Sequence, residues 1–283
     1  MFGNILFPVD FSGRCDNALR HVAALARRFN SKVTLLHAIG DYTKVFTPDA
    51  PSSFAWREWL LEDAQRQIKA FGHPALDEFV AERVVSDGEP AEVIQKYCAE
   101  HPVDLIALPT HGRGLFRRLL LGSVSSKVMH DCSCPVWTTA NSAPEAFVPE
   151  AKTVLCAIGL QDSSKQVLQS AKEVARSYGA VLRLIHVVPV PGDPQESMMN
   201  QEFANFLADT ATKQLSELQK DTGVSCNTAM LMGDAAAVIR QEALDCHADL
   251  IVVGRGHVRE PYGQFLATAH SIIRDSPCPV LSV

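Results

Sequence analysis

Two kinds of stretch alternate along the chain. Short apolar runs, such as residues 4–9 and 32–38, are separated by longer stretches in which Ala and Leu recur with a period near 3.6. Short buried strands separated by amphipathic helices are typical of a parallel sheet that is covered by helices on both faces. The pattern therefore predicts the α/β class, with open α/β sandwiches.

The first half of the chain is predicted to contain a sheet of five parallel strands. The predicted strands are 4–9, 32–38, 81–86, 104–108 and 135–139, and the predicted helices are 12–29, 54–71 (extending as far as 79), 90–100 and 123–131. Pro90 marks the start of the third helix, because proline is favoured at the first helical position.

The second half repeats the elements of the first half in the same order. Matching segments are 4–7 with 153–156, VTLLHA at 33–38 with LRLIHV at 182–187, GEPAEVI at 88–94 with GDAAAVI at 233–239, and CPV at 134–136 with CPV at 278–280. The stretch between the halves, 141–152, is rich in Pro, Ala and Glu, lacks an apolar period, and is typical of a linker. We therefore predict two tandem domains, 1–142 and 150–283, each a Rossmann-like sandwich with five parallel strands.

Composition and charge exclude several classes of partner. The 283 residues carry a formal net charge of -6, so no basic excess indicates nucleic acid or an anionic membrane surface. The chain shows no signal-peptide pattern and no apolar run of about 18 residues, so we expect no membrane insertion and a cytoplasmic location. Among the eight cysteines, Cys98, Cys156 and Cys246 lie within apolar patterns and are predicted to be small core residues.

Candidate chemistry gathers where the predicted strands end. Asp10 closes the first strand, Ala38 closes the second, and a glycine-rich loop follows the fourth and leads into a helix at Gly122. Backbone N–H groups at a helix N-terminus suit an anion such as phosphate. Taken alone, however, Asp10 fits an ordinary helix N-cap equally well, and the loop fits an ordinary turn. The chain has no GxxxxGK[ST], and no GxGxxG follows its first strand, which excludes the usual P-loop and dinucleotide motifs.

The segments ILFPVDFS, LLHA, DLIALPTHGRGLFRRLLLGSVSSKV and CPV, in this order, closely resemble the universal stress protein family. The resemblance covers both halves. The family's nucleotide signature is Gly, two residues, Gly, nine residues, Gly, then Ser or Thr. Gly112, Gly122 and Ser123 match it, whereas Pro109 stands at the first glycine, removes one backbone N–H and fixes φ.

This resemblance implies an ATP site in the first half and a fold like that of the adenine nucleotide alpha hydrolases. Asp10, with Pro8 beside it, would accept hydrogen bonds from the ribose, and Ala38 would contact adenine through its backbone. The remaining implied binding residues are Leu108, Gly112, Arg113, Gly122, Ser123, Val124 and Ser125, of which the last four would hold the phosphates. A Mg or Mn ion bridging the phosphates fits the family, although the sequence offers no dedicated protein ligands for one.

The second half departs from the signature. Gly159 stands where Asp10 would be, His257 replaces the second glycine, and Ala267-Thr268 replaces Gly-Ser. We expect this half to have lost nucleotide binding and to pair with the first half as family subunits pair in dimers. A different ligand held around His257 stays open, as do a monomer and a homodimer.

Three other features carry weaker hypotheses. HDCSCP at 130–135 is one cluster of potential zinc ligands, whereas structural zinc sites usually show two spaced pairs, so we expect no metal there. His37 and His186 end matching strands, which favours a structural role for both. Trp56 and Trp59 are predicted to face the core, with an exposed partner- or lipid-binding surface as the alternative.

The function that the resemblance implies is an ATP-binding regulatory module of the stress response. No nucleophile–base motif is present, so any ATP hydrolysis is expected to be slow and metal-assisted. The alternative is a scaffold or a metal- or lipid-responsive interaction protein whose nucleotide sites have degenerated.

Overall fold

A computed structural model of the chain describes residues 1–40, 52–109, 122–139, 150–188, 197–255 and 264–283. The chain divides into two compact units, Met1–Thr139 and Ala140–Val283. None of the helices in the described ranges is long and apolar enough to cross a membrane.

The first unit is a five-stranded parallel sheet with helices between its strands. Its elements are β1 (Asn4–Pro8), α1 (Gly13–Phe29), β2 (Lys32–Ala38), α2 (Ser52–Ala70), α3 (Pro74–Asp77), β3 (Val80–Ser86), α4 (Pro90–Glu100), β4 (Leu105–Pro109), α5 (Ser123–Asp131) and β5 (Val136–Thr139). The strand order is β3-β2-β1-β4-β5, and each neighbouring pair is parallel. The predicted α/β class is thus confirmed for this unit.

The second unit repeats this architecture. Its elements are β6 (Thr153–Ala157), α6 (Ser164–Tyr178), β7 (Val181–Val188), α7 (Ser197–Thr222), β8 (Asn227–Met232), α8 (Ala235–Asp245), β9 (Leu250–Val253), α9 (Gln264–Asp275) and β10 (Val280–Ser282). The strand order β8-β7-β6-β9-β10 is that of the first unit, and all of its pairs are parallel.

The core of each unit is built from strands that are buried on both faces. In the first unit Phe7, Leu35 and Ile106, on adjacent or next-adjacent strands, are fully buried. Helix α1 covers one face with the apolar stripe that its period predicted, and Val22 and Ala26 of that stripe are fully buried. The apolar strand runs are therefore explained by helices on both sides of the sheet.

Unusual backbone conformations recur at equivalent positions of the two units. Phe11 follows β1 with φ 55°, and Leu160 follows β6 with φ 56°. Gly88 precedes α4 with φ 130°, and Gly233 precedes α8 with φ 139°. Residues other than glycine rarely adopt a φ as large as those of Gly88 and Gly233, so the turns before α4 and α8 require glycine.

A histidine ties the first two strands together in each unit. His37 Nδ1 donates to the carbonyl of Val9 at 2.7 Å, and His186 Nδ1 donates to the carbonyl of Ile158 at 2.7 Å. The structure thus gives both histidines the structural role that their repetition predicted.

The predicted helix 54–71, which was allowed to extend as far as residue 79, ends at Ala70. The short helix α3 begins at Pro74 with the His73 side chain accepting from the N–H of Ala75. A side chain at Gly72 would meet Asp77 Oδ1 at 2.5 Å, so a larger residue at this break would require the Asp77 carboxylate to move. The suggested extension of the helix to residue 79 is wrong, because Pro74 starts a new helix and β3 begins at Val80.

The predicted burial of the tryptophans is also wrong. Trp56 is 42% exposed and Trp59 is 47% exposed, and their rings stack with centroids 4.9 Å apart. The buried residues of α2 are Ala64 and Ile68, spaced by four on one face, and neither tryptophan lies on that face. Among the cysteines predicted to be core residues, Cys156 is fully buried, whereas Cys98 and Cys246 are only half-buried.

Candidate functional site

Strand order defines a crevice at the carboxyl ends of β1 and β4. These strands are neighbours, yet the chain runs from β1 to β2 and β3 on one side and reaches β5 on the other. In open α/β sheets, such a reversal of strand order is where ligands bind. Asp10 follows β1, and α5, which begins at Ser123, is the next described element after β4.

The Asp10 carboxylate is held by a tight turn before α1. Its Oδ1 accepts hydrogen bonds from the Ser12 N–H at 3.0 Å, the Ser12 hydroxyl at 2.6 Å and the Cys15 thiol at 2.9 Å. The N-cap of α1 is Ser12, so Asp10 lies before the helix in an Asx-type turn. The alternative that Asp10 is itself the ordinary N-cap is wrong.

These contacts decide the charge of Asp10. Partial burial raises the pKa of the carboxyl, but the hydrogen bonds from Cys15 and Ser12 outweigh it, so the pKa is lowered and the group is ionised at neutral pH. Burial and the hydrogen bond to Asp10 raise the pKa of the Cys15 thiol to about 12, which keeps its proton in place. All three hydrogen bonds that described residues donate to this carboxylate reach Oδ1, which leaves Oδ2 able to accept hydrogen bonds from a ligand.

Sequence reasoning did not single out the residues that hold Asp10. Cys15 and Ser12 bond to it directly, and the ring of Phe11 packs on that of His37 with centroids 4.3 Å apart. The one available signal is the spacing Asp-x-Ser-x-x-Cys, which places both partners within half a turn of the start of α1.

The other predicted binding residues on the strands line the same edge. Pro8 is the last residue of β1 and Ala38 is the last residue of β2, and both are half-buried. Ile39 N–H, directly after Ala38, donates to the carbonyl of Ser86 at 3.0 Å, which fixes the backbone there. Leu108 is only 3% exposed, so its side chain belongs to the core and only its backbone is placed for ligand contact.

The N-terminus of α5 has the properties of an anion site. Gly122 is the N-cap, Ser123 is exposed and Ser125 is buried. The N–H groups of the first helical turn have no acceptor within the helix. Gly122 has φ -57°, and among the described residues a side chain there would meet Ser125 Oγ at an ordinary contact distance of 3.8 Å, so neither observation requires glycine. Its absence of a side chain keeps the backbone accessible to a ligand. Gly112 and Arg113 lie outside the described residues.

Pro109 is accommodated at the end of β4. It pairs with Thr139 of β5 and lies beyond the residues through which β4 pairs with β1. In the second unit the equivalent residue is Gly254, where a side chain would approach Val167 Cγ2 of α6 to 3.0 Å. The residue of α1 equivalent to Val167 is the smaller Ala18. The smaller residue on α1 thus leaves more room for proline, whereas Val167 of α6 makes the equivalent position tight for any side chain.

The second unit lacks both halves of the crevice. Gly159 replaces Asp10 and supplies no carboxylate. Helix α9 begins at Gln264, so Thr268, the equivalent of Ser123, lies inside the helix. At that depth an amide N–H bonds to the carbonyl four residues earlier and is not available to an anion. His257 lies outside the described residues.

The HDCSCP segment does not assemble a metal site. His130 Nδ1 lies 2.6 Å from Asp131 Oδ1, and both side chains point to an exposed surface. Within the ranges that the structure describes, no group of three or more His, Cys, Asp or Glu residues could hold a metal ion.

The two halves also match known proteins. A model of the universal stress protein family matches residues 1–139 and again residues 150–283. The chain belongs to the universal stress protein family. The two separate matches confirm the tandem arrangement that the internal repeat predicted.

Some family members correspond to one half of the chain, and others span both halves. The universal stress protein YxiE of Bacillus subtilis is 28% identical over 145 residues, which are 48% of this chain and 97% of that protein. A universal stress protein of Thermus aquaticus is 33% identical over 135 residues, covering 47% of this chain and 98% of that protein. The crystal structure of a universal stress protein from Archaeoglobus fulgidus spans both halves, with a TM-score of 0.65 at 24% identity over 99% of this chain and 95% of that one.

Proposed function

We propose that this universal stress protein binds ATP through its first unit and acts as a nucleotide-responsive regulatory module. The observation that carries the proposal is that Asp10 follows β1 and that α5 is the next described element after β4, while β1 and β4 are the neighbouring strands at which the strand order reverses. Asp10 is an ionised acceptor and the α5 N-terminus a set of N–H donors, which are the two groups that a nucleotide needs at its opposite ends.

The charges of the two groups indicate which end of the nucleotide each would bind. A carboxylate only accepts hydrogen bonds, so Asp10 Oδ2 suits the ribose hydroxyls and repels phosphate. The backbone N–H groups of Ser123, Val124 and Ser125, with the positive end of the α5 dipole, suit the phosphates. A Mg or Mn ion would bridge phosphate oxygens and water rather than protein side chains, a mode common for Mg²⁺.

Calorimetric titration of the full chain with ATP and Mg²⁺ tests this proposal. We expect saturable binding that Asp10→Asn weakens by about tenfold or more, because a hydrogen bond to a charged acceptor contributes about 1.5–3 kcal/mol. Ser123→Ala is expected to weaken binding less, since it removes one hydroxyl and leaves the backbone N–H.

The second unit offers a matched control for these variants. Thr268→Ala changes the residue equivalent to Ser123 and is expected to leave ATP affinity unchanged. Circular dichroism of each variant establishes that it is folded. A wild-type chain that gives no saturable heat, or an Asp10→Asn chain that is folded and binds as tightly as wild type, would contradict the proposal and favour an interaction protein without a nucleotide.

A further inference from the structure

Three cysteines of the first unit converge at one place. Cys98 lies in α4, Cys132 is the C-cap of α5, and Cys134 lies just before β5. The Sγ atoms of Cys98 and Cys134 are 3.8 Å apart, and the Cys132 thiol is also within hydrogen-bonding contact of Cys98. The structure describes all eight cysteines of the chain, and each is a thiol.

This cluster lies away from the nucleotide crevice. Helix α4 returns from the carboxyl end of β3 to the start of β4, and Cys98 is in its last turn. Cys134 precedes the first residue of β5. In a parallel sheet these positions share the amino edge, opposite the edge that carries Asp10. Cys98 and Cys134 are half-buried and therefore reachable by a small solute, whereas Cys132 is buried.

The duplicated unit shows that the fold does not depend on this cluster. The residues equivalent to Cys98 and Cys132 are Ala243 and Ser276, and only the third thiol is kept, as Cys278. Ser276 there fills the local hydrogen-bonding role, because its hydroxyl donates to the carbonyl of Cys278 at 2.6 Å. The fold therefore accounts for a cysteine at position 134, which both units share. It does not account for the thiols of Cys98 and Cys132, which the second unit lacks.

We propose that Cys98 and Cys134 form a reversible redox pair that a hydroperoxide converts into a disulfide. A disulfide needs an Sγ–Sγ distance of about 2.05 Å, so the two sulfur atoms must approach by roughly 1.8 Å, which rotation of the side chains can supply.

The reaction is balanced with hydrogen peroxide as the oxidant. The Cys134 thiolate attacks one peroxide oxygen and the O–O bond breaks, giving a sulfenic acid on Cys134 and hydroxide. The Cys98 sulfur then displaces that oxygen as the S–S bond forms, and the proton of Cys98 leaves in the water produced. Two thiols are oxidised by two electrons in total, and one peroxide is reduced to two molecules of water.

The order of the two thiols follows from their surroundings. Hydrogen bonds to Cys132 and Cys134, followed by burial, strongly raise the pKa of the Cys98 thiol. We therefore assign Cys98, which keeps its proton, as the thiol that resolves the sulfenic acid, and the half-buried Cys134 as the one that peroxide oxidises first.

Peroxide treatment of the full chain tests the proposal. After exposure to hydrogen peroxide and alkylation, mass spectrometry is expected to find the peptide with Cys98 linked to the peptide with Cys134, a loss of about 2 Da, and full reversal by dithiothreitol. Because Cys132 and Cys134 fall on one tryptic peptide, variants must distinguish them.

Cys98→Ala and Cys132→Ser copy the residues that the second unit already uses, Ala243 and Ser276. Cys132→Ser should keep the disulfide, whereas Cys98→Ala and Cys134→Ser should abolish it, and Cys98→Ala should accumulate Cys134 with added oxygen. Cys278→Ser, at the equivalent place in the second unit, should have no effect. Wild-type chain in which peroxide leaves Cys98 and Cys134 fully alkylatable overturns the proposal, as does a disulfide that survives Cys134→Ser. The wild-type measurement decides the matter even if a variant fails to fold.

Discussion

The surroundings of Asp10 and His21 determine whether each side chain is charged at neutral pH. Hydrogen bonds keep Asp10 charged, whereas burial keeps His21 neutral. Asp10 is kept ionised by donors that α1 and its N-cap supply. His21 is moved by burial, which lowers the pKa of its imidazole to about 4 and keeps the ring neutral at pH 7. The end of the first predicted strand and the family resemblance pointed to Asp10, but neither of these environments could be derived from the sequence, because the donors and the burial come from folding.

His21 gives a pH-dependent contribution to stability. The imidazole pKa of the folded protein lies below the value of about 6.5 expected in the unfolded chain, so the unfolded chain binds more protons between these values. Stability should therefore be full above about pH 6.5, fall as the pH drops toward 4, and lose nothing more from this residue below that. His21→Gln should reduce the fall by on the order of 1–3 kcal/mol in urea unfolding at pH 7.5 and 4.5. An imidazole of the folded wild type that titrates near pH 6.5 by NMR would contradict this.

Among the helices and strands, the period of the apolar residues and the positions of proline and glycine were sufficient to place most of the element boundaries. The predicted strand 32–38 coincides with β2, and the predicted helix 90–100 coincides with α4, whose start is set by Pro90. The face of a helix that would be covered was harder to predict. Trp56 and Trp59 were expected in the core because they are apolar, but coverage of α2 depends on which of its stripes meets the sheet. Such a choice belongs to tertiary packing, which local sequence does not encode.

The turns before α4 and α8 should be the most sensitive glycine positions. Gly88→Ala and Gly233→Ala would each place a side chain on a backbone with positive φ, within 3.1 Å and 3.0 Å of a valine methyl in the following helix. We expect each to destabilise its unit by about 1–2 kcal/mol in urea unfolding.

Gly159→Ala is the matched control for these turns. Its side chain would meet Gln161 at ordinary contact distances of 3.7 Å and beyond, and Gly159 does not have a positive φ. Its effect should be within about 0.5 kcal/mol of zero. Equal losses in all three variants would mean that backbone conformation is not the cause.

On the scale of the whole molecule, the repeat allowed one unit to be compared with the other. Strand order, the tying histidines and the positive-φ turns recur in both units, whereas Asp10, the Gly122–Ser123 pair and two of the three clustered thiols occur in one. The repeat therefore predicted the architecture and indicated which residues the fold can spare. It did not indicate how α9 would begin, because that depends on helix packing.

This comparison predicts the stoichiometry of the full chain. We expect one ATP per chain, since Gly159 offers no carboxylate and Thr268 lies inside α9. Native mass spectrometry with excess ATP and Mg²⁺ should show a single adduct that Asp10→Asn diminishes. Two adducts of equal strength would show that the second unit binds as well.

The early start of α9 also bears on whether the second unit could ever regain a site. Thr268 lies four residues after Gln264, which is about one helical turn. Restoring Gly159→Asp and Ala267→Gly would bring back the side-chain chemistry but leave the amide of Thr268 inside the helical ladder. Reversion would require a turn of helix to unwind before the restored residues could be of use. These two substitutions alone are therefore expected not to restore nucleotide binding to the second unit.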